Sequence, residues 1–263
     1  MNRAFSLVEL SIVLVILGLL TGGILAGQSL IRAAELRAVS SEYSRWITAT
    51  QTFRDKYFQI PGDFRDATRF WGLQVVGSGC TSNSGLSTVG SPGACDGNGN
   101  GLMNNAGAAN QSGDEFQYWR HLALAGLIEG TYTGLAGTGG AGHVIPRTNS
   151  ADSKLSNASW FVAQSGTVGT TLMYTLTYNN YLAIGAATTT TYSYGAALKP
   201  EEAWNIDTKL DDGRPASGNV VAMYWNNACS APNSGAAANT NLDASYRLSD
   251  NSNQCALIFR NAF

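Results

Sequence analysis

Charged residues are scarce in this chain of 263 residues. Lysine and arginine number 16 and aspartate and glutamate 18, together 13% of the sequence, whereas soluble domains carry roughly 25%. The net charge of −2 leaves no broad cationic surface, and this argues against nucleic acid as a partner because such binding depends on phosphate neutralisation. An apolar content of 44% excludes global disorder.

Catalytic motifs are also missing. The chain contains no Gly-x-Ser-x-Gly, no His-Glu-x-x-His and no phosphate-binding loop, and its two histidines, His121 and His143, are far apart. His121 falls on a predicted helix beside Trp119 and Leu122, where a hydrogen-bonded core imidazole or a surface imidazole is the simplest interpretation. The sequence therefore predicts a protein that is not an enzyme.

One long apolar run begins near the N-terminus. Residues 10–31 are 22 uncharged residues, enough to cross a bilayer, which takes roughly 20. A secretory signal would have a shorter apolar stretch, a small-residue cleavage site and no acid at its head. Glu9 is the one charge between Arg3 and Arg32, and an acid at the edge of the lipid indicates a function.

The residues around this acid carry a resemblance to a known family. Ala4 precedes the segment FSLVEL, which runs from Phe5 to Leu10 into the apolar stretch. This resembles the type IV pilins and type II secretion pseudopilins. The resemblance implies that a prepilin peptidase cuts between Ala4 and Phe5, although Gly usually stands where Ala4 is. It also implies that the new amine of Phe5 is N-methylated and pairs with Glu9 of a neighbouring subunit.

The same resemblance implies location and partners. The expected partners are copies of the chain or other pilins and pseudopilins, the prepilin peptidase, and an inner-membrane assembly platform driven by an ATPase. Membrane lipid surrounds the apolar run before assembly. The protein is then a single-pass inner-membrane protein with its globular domain in the periplasm, which later enters a pilus or pseudopilus. The alternative is a membrane-anchored extracytoplasmic module that binds a partner with calcium and does not polymerise.

Beyond the apolar run the sequence has helical periodicity. Apolar or small residues recur at intervals of three and four, as in a heptad: Leu36, Val39, Tyr43, Trp46, Thr50, Phe53 and Tyr57. One helix is therefore expected from Phe5 to Phe58, ending before Pro61. We divide the chain into a leader at 1–4, a transmembrane and assembly half at 5–31, an amphipathic half at 32–60, and a globular domain at 61–263.

The globular part contains short helical and extended segments. A short helix is expected within Asp63–Trp71, a second after a capping box from Ser112 to Glu115, and a third from Pro200 to just before Asp211. Segments rich in β-branched and aromatic residues are expected to form antiparallel strands: 160–163, 170–178, 181–184, 220–225 and 257–259. The predicted class is α+β, a long helix packed on a small antiparallel sheet.

Four cysteines lie beyond the apolar run. Sequence neighbours suggest the pairs Cys80–Cys95 and Cys229–Cys255, although four cysteines allow three connectivities. Two disulfides would indicate an oxidising compartment. In many type IV pilins a C-terminal disulfide loop occupies the place of the second pair.

A candidate calcium site lies in the glycine-rich region. Asp96, Asn98 and Asn100 alternate with glycines, like the first half of a calcium loop. Gly107 stands where such a loop carries its bidentate Glu, so Asp114 or Glu115 would have to supply that carboxylate by folding back, and we take Glu115 as the fourth candidate ligand. A plain Gly/Asn turn cluster remains the alternative. The segment Asp211–Asp212–Gly213 is a second and weaker option.

Overall fold

The computed structural model describes residues 7–74, 93–103, 105–170, 172–223, 228–231 and 238–263. Its helices and strands follow in chain order: α1 (Leu7–Tyr57), α2 (Ala67–Trp71), α3 (Asp114–Leu124), β1 (Ala158–Val168), β2 (Leu176–Ala186), α4 (Pro200–Leu210), β3 (Val220–Ala222), β4 (Ser230–Ala231), β5 (Ser245–Tyr246) and β6 (Leu257–Phe259). The fold is mixed α+β, with a long N-terminal helix packed on a small antiparallel sheet, as predicted.

The main sheet has the antiparallel order β1-β2-β6-β3. The last strand in sequence, β6, therefore lies between β2 and β3. Because side chains alternate across a strand, Leu257 and Phe259 join the core on the α1 side, and Ile258 joins a second core on the opposite face. Both faces of the sheet are covered.

The C-terminal half of α1 supplies one wall of the first core. The predicted stripe is confirmed: six of its seven residues belong to that core or pack against it, and the seventh, Thr50, is fully buried, as are Val39 and Phe53. Tyr43 stacks on Phe259 with 4.4 Å between ring centroids, and Trp46 meets Trp119 edge-on at 5.2 Å. The heptad spacing therefore marks the line along which α1 meets the globular domain.

Two sequence predictions about local structure are corrected. The structure has one strand, β2, where two were predicted at 170–178 and 181–184, because Asn179 takes a left-handed conformation (φ 51°) within the strand and still pairs with Ser165. This strand begins at Leu176, so the described residues of 170–175 lie outside it. The predicted capping box is also wrong. Gly113, not Ser112, is the N-cap of α3, and glycine has no side chain with which to cap the helix. Glu115 accepts a hydrogen bond from the amide of Ala106.

One disulfide is described, Cys229–Cys255, with a Cα–Cα distance of 4.9 Å. Cys255 comes just before β6 and pairs with Leu198 through backbone hydrogen bonds. The bond therefore ties the central strand of the sheet to the segment before β4. The fold prediction included two disulfides, but Cys80 of the Cys80–Cys95 pair lies outside the described residues, so the second stays a prediction.

Candidate functional site

The N-terminal half of α1 is an exposed and strongly apolar surface. Between Leu7 and Ile31, fifteen large hydrophobic side chains are exposed, and each has at least half of its surface uncovered. An 18-residue window has a mean hydropathy of 2.4, and none of it is buried. By length and composition this helix is compatible with a single-pass membrane anchor, although a signal sequence meets the same criterion. Glu9 lies in its first described turn, while Ala4 and Phe5 lie outside the described residues.

An ionic clasp holds the helix to the domain where the apolar run ends. The Arg32 guanidinium donates two hydrogen bonds of 2.6 Å to the Glu202 carboxylate in α4, and a third of 3.1 Å to the Ala197 carbonyl. It also contacts Glu35 at 3.0 Å. Burial raises the pKa of Glu202, but hydrogen bonds from Arg32 and the Lys199 amide, together with the positive charges of these two residues, outweigh burial, and the pKa is lowered. The geometry is the bidentate pairing that arginine makes best.

A second polar anchor lies two to three turns further along α1. The carboxylate of Glu42, 9% exposed, accepts hydrogen bonds from the Trp160 indole (2.8 Å), the Ser153 hydroxyl (2.7 Å) and the Lys154 amide (2.8 Å). Glu42 is not among the seven residues of the predicted heptad stripe, so the sequence analysis missed this role. Its spacing from Val39 and Trp46, three and four residues, was the available indication that it faces the domain.

The residues of the predicted calcium loop bind protein groups instead. Both oxygens of Asp96 accept hydrogen bonds from Thr68, one from its amide (2.7 Å) and one from its hydroxyl (2.8 Å). The side-chain oxygens of Asn98 and Asn100 accept from the backbone amides two residues further on, at 2.9 and 2.8 Å. Such Asx turns order a loop without an ion.

A carboxylate of the protein itself, that of Asp63, occupies the centre of this loop. The buried carboxylate of Asp63 accepts the amide hydrogens of Gly99 (2.5 Å) and Gly101 (2.6 Å), one on each oxygen. Gly97 packs so closely on Asp63 that an added Cβ would lie 2.3 Å from its Cα. Burial of Asp63 outweighs these hydrogen bonds and raises its pKa. Inward-pointing amides form an anion-binding concavity, the opposite of what a calcium ion requires.

Glu115, the fourth predicted ligand, has other partners. Its side chain is buried, accepts the Ala106 amide at 2.8 Å and lies 3.5 Å from the Tyr192 hydroxyl. Its second oxygen has no hydrogen-bond partner among the described residues. Burial in this tyrosine-rich surrounding raises the pKa of Glu115 to about 8. Within the described part of this loop, the side-chain oxygens of Asp96, Asn98 and Asn100 thus bind protein groups, and calcium binding there stays a prediction.

The second candidate metal site, at Asp211 and Asp212, is part of an acidic cluster that also includes Asp207. Single carboxylate oxygens of Asp207, Asp211 and Asp212 lie within 4.8 Å of one another, the one such group among the described residues. Burial raises the pKa of Asp207 to about 7, and its oxygens accept from the Tyr246 hydroxyl and the Gly213 amide. The other two carboxylates bind amides of the turn that follows α4. These bonds explain the cluster as the end of a helix.

His121 is a core residue, the first of the two positions that the sequence left open. It is fully buried, accepts the Gly62 amide at Nδ1 (2.9 Å) and places Nε2 3.0 Å from the Cys95 carbonyl. Burial lowers its pKa to about 3. The imidazole is therefore neutral at physiological pH and holds Gly62, at the entry to the globular domain, against α3.

Comparison with known proteins gave no match. No family model matches the chain, no curated protein matches its sequence, and no solved structure matches its fold. The resemblance to pilins therefore rests on residues 4–31 of the sequence alone.

Proposed function

We propose that this protein is a structural subunit of a type IV pilus or type II secretion pseudopilus, held in the membrane by the first half of α1 and later packed through it against other subunits. The observation that supports this is the division of α1. One continuous helix presents an uncovered apolar half and a half that is built into the domain core.

The uncovered half needs a partner on energetic grounds. Burying one Leu, Ile or Val side chain contributes roughly 1.5–3 kcal/mol, and fifteen such side chains are exposed along residues 7–31. Their sum is far larger than the stability of a typical domain, about 5–15 kcal/mol. Lipid or a bundle of neighbouring helices covers such a surface, and a filament subunit uses the two in succession.

The continuity of α1 favours retention of the apolar half over its removal as a signal sequence. Signal peptidase would have to cut within an unbroken helix, shortly before the turn that carries Arg32. The clasp to Glu202 and the Glu42 anchor fix the domain to the rod at two points. A pull on the rod, as an assembly machine exerts, is then transmitted to the whole domain.

Assembly itself is assigned to the charge pair that the family resemblance implies. After cleavage between Ala4 and Phe5, the amine of Phe5 on an incoming subunit docks on Glu9 of a subunit already assembled. Each charge is costly in an apolar core, and the pair reduces that cost. The pair also sets the axial position of one helix against the next.

Mass spectrometry of the native N-terminus tests processing. We expect loss of residues 1–4 and one added methyl group on Phe5 in cells with an active prepilin peptidase. An intact N-terminus under those conditions would contradict the proposal, whatever the fold of the domain.

The substitution Glu9→Ala tests assembly, with Glu129→Ala, an exposed glutamate of the domain, as the matched control. We expect Glu9→Ala to insert into the membrane at the wild-type level but to disappear from the sheared filament fraction, and Glu129→Ala to assemble normally. Equal distribution of both variants would favour the anchored, non-polymerising module.

A further inference from the structure

The loop that encloses Asp63 contains the two Asn-Gly sequences of the chain, Asn98–Gly99 and Asn100–Gly101. Both asparagines are exposed. Asparagine followed by glycine is the sequence most prone to spontaneous deamidation, because glycine has no side chain to hinder attack by its own amide nitrogen. This loop is therefore the place where unassisted chemical modification is expected first.

The reaction requires the glycine amide to lose its proton. Base removes that proton, the nitrogen attacks the asparagine Cγ, and ammonia leaves as a succinimide ring closes. Water then opens the ring to aspartate or isoaspartate. The net change is asparagine plus water to an acid plus ammonia, with no oxidation or reduction. Amide hydrogen exchange also requires base to remove the amide proton. A hydrogen-bonded amide therefore resists both deamidation and exchange until its hydrogen bond breaks.

The hydrogen bonds of the loop favour the carbonyl groups that are attacked but hold back the amide nitrogens that attack them. The asparagine carbonyls are polarised, since each accepts a backbone amide two residues on, at 2.9 and 2.8 Å. The attacking nitrogens are covered, since the hydrogens of Gly99 and Gly101 both point at the Asp63 carboxylate, at 2.5 and 2.6 Å. An anion at that position also repels hydroxide.

We propose that Asn98 and Asn100 are latent deamidation sites and that Asp63 restrains both by holding the amides of Gly99 and Gly101. One buried carboxylate thus protects two sites. This property belongs to the globular domain and holds whether or not the protein forms filaments.

The test is peptide mapping by mass spectrometry of the full chain in detergent micelles, aged at mildly alkaline pH. We compare wild type with Asp63→Asn, which keeps the shape but turns one acceptor oxygen into a donor group. We expect deamidation at Asn98 and Asn100 to speed up about tenfold or more, the effect of losing one net hydrogen bond to a charged group. Asn251, in an exposed Asn-Ser sequence on another loop, is the internal control and should not change.

A second variant perturbs the loop and keeps the carboxylate. In Gly97→Ala the added Cβ would lie 2.3 Å from the Asp63 Cα, so the loop must move away, and we expect faster deamidation at the same two sites.

Hydrogen exchange of the Gly99 and Gly101 amides in wild type tests the proposal without any substitution, and we expect both amides to be protected. Unchanged or slower deamidation in Asp63→Asn, an equal rise at Asn251, or unprotected glycine amides would each overturn the proposal.

Discussion

Glu42→Ala is the sharpest test of how α1 is attached to the domain. The substitution removes the acceptor of three hydrogen bonds, from Trp160, Ser153 and Lys154, at 2.7–2.8 Å. Trp160 is fully buried, so its indole N–H has no access to water once the carboxylate is gone. An unsatisfied buried donor costs about 1–3 kcal/mol of stability. Hydrogen bonds to a charged acceptor are stronger than neutral ones, so the loss of the carboxylate increases this cost. We expect a total destabilisation of about 3–5 kcal/mol.

Glu42→Gln should cost less and so separates hydrogen bonding from packing. The amide oxygen of Gln can still accept from Trp160 and Ser153, which share one oxygen of Glu42, but its NH2 group would face the Lys154 amide. One lost acceptor is worth about 1–2 kcal/mol. The expected order of stability is wild type, then Gln, then Ala.

The assay is guanidinium unfolding of the full chain in detergent micelles, followed by tryptophan fluorescence. With a slope of about 4 kcal/mol/M, the Ala variant should shift the midpoint by about 1 M. Glu129→Ala, an exposed glutamate, is the control and should unfold like wild type. An Ala variant within about 0.5 kcal/mol of wild type would refute the assignment of Glu42 as an anchor.

Two further predictions concern ionised groups. Arg32→Lys keeps the charge but loses the bidentate contact with Glu202, so we expect a loss of about 1–2 kcal/mol in the same unfolding assay; wild-type stability would count against the clasp. Because the pKa of Glu115 is raised to about 8 by burial, the folded state binds more protons than the unfolded state between about pH 4.5 and 8. Stability should therefore fall as pH rises through that range, and Glu115→Gln should flatten the fall; an equal slope in both proteins would contradict it.

Patterns that depend on neighbouring residues were predicted well from the sequence. The 22-residue apolar run and the heptad stripe that follows it predicted the long helix and the face that packs on the domain, because a helix repeats its contacts every three or four residues. β6 was predicted at its exact bounds, 257–259, and α4 from its proline at Pro200.

Patterns that depend on distant partners were not. The sequence could not show that Asp63 occupies the loop at 96–101, that Glu115 turns into a tyrosine cluster, or that Glu42 binds Trp160, because these partners are separated by 9 to 118 residues. A carboxylate in a sequence looks the same whether it binds an ion, caps a helix or accepts buried amides.

The sequence by itself therefore determined that the chain has an apolar rod joined to an α+β domain, because hydrophobic periodicity is a local property of the chain. Only the tertiary structure decided what its carboxylates do. Folding brings each one to particular backbone amides, hydroxyls or guanidinium groups, and the low polarity of the interior makes those contacts, rather than the residue types, determine its role.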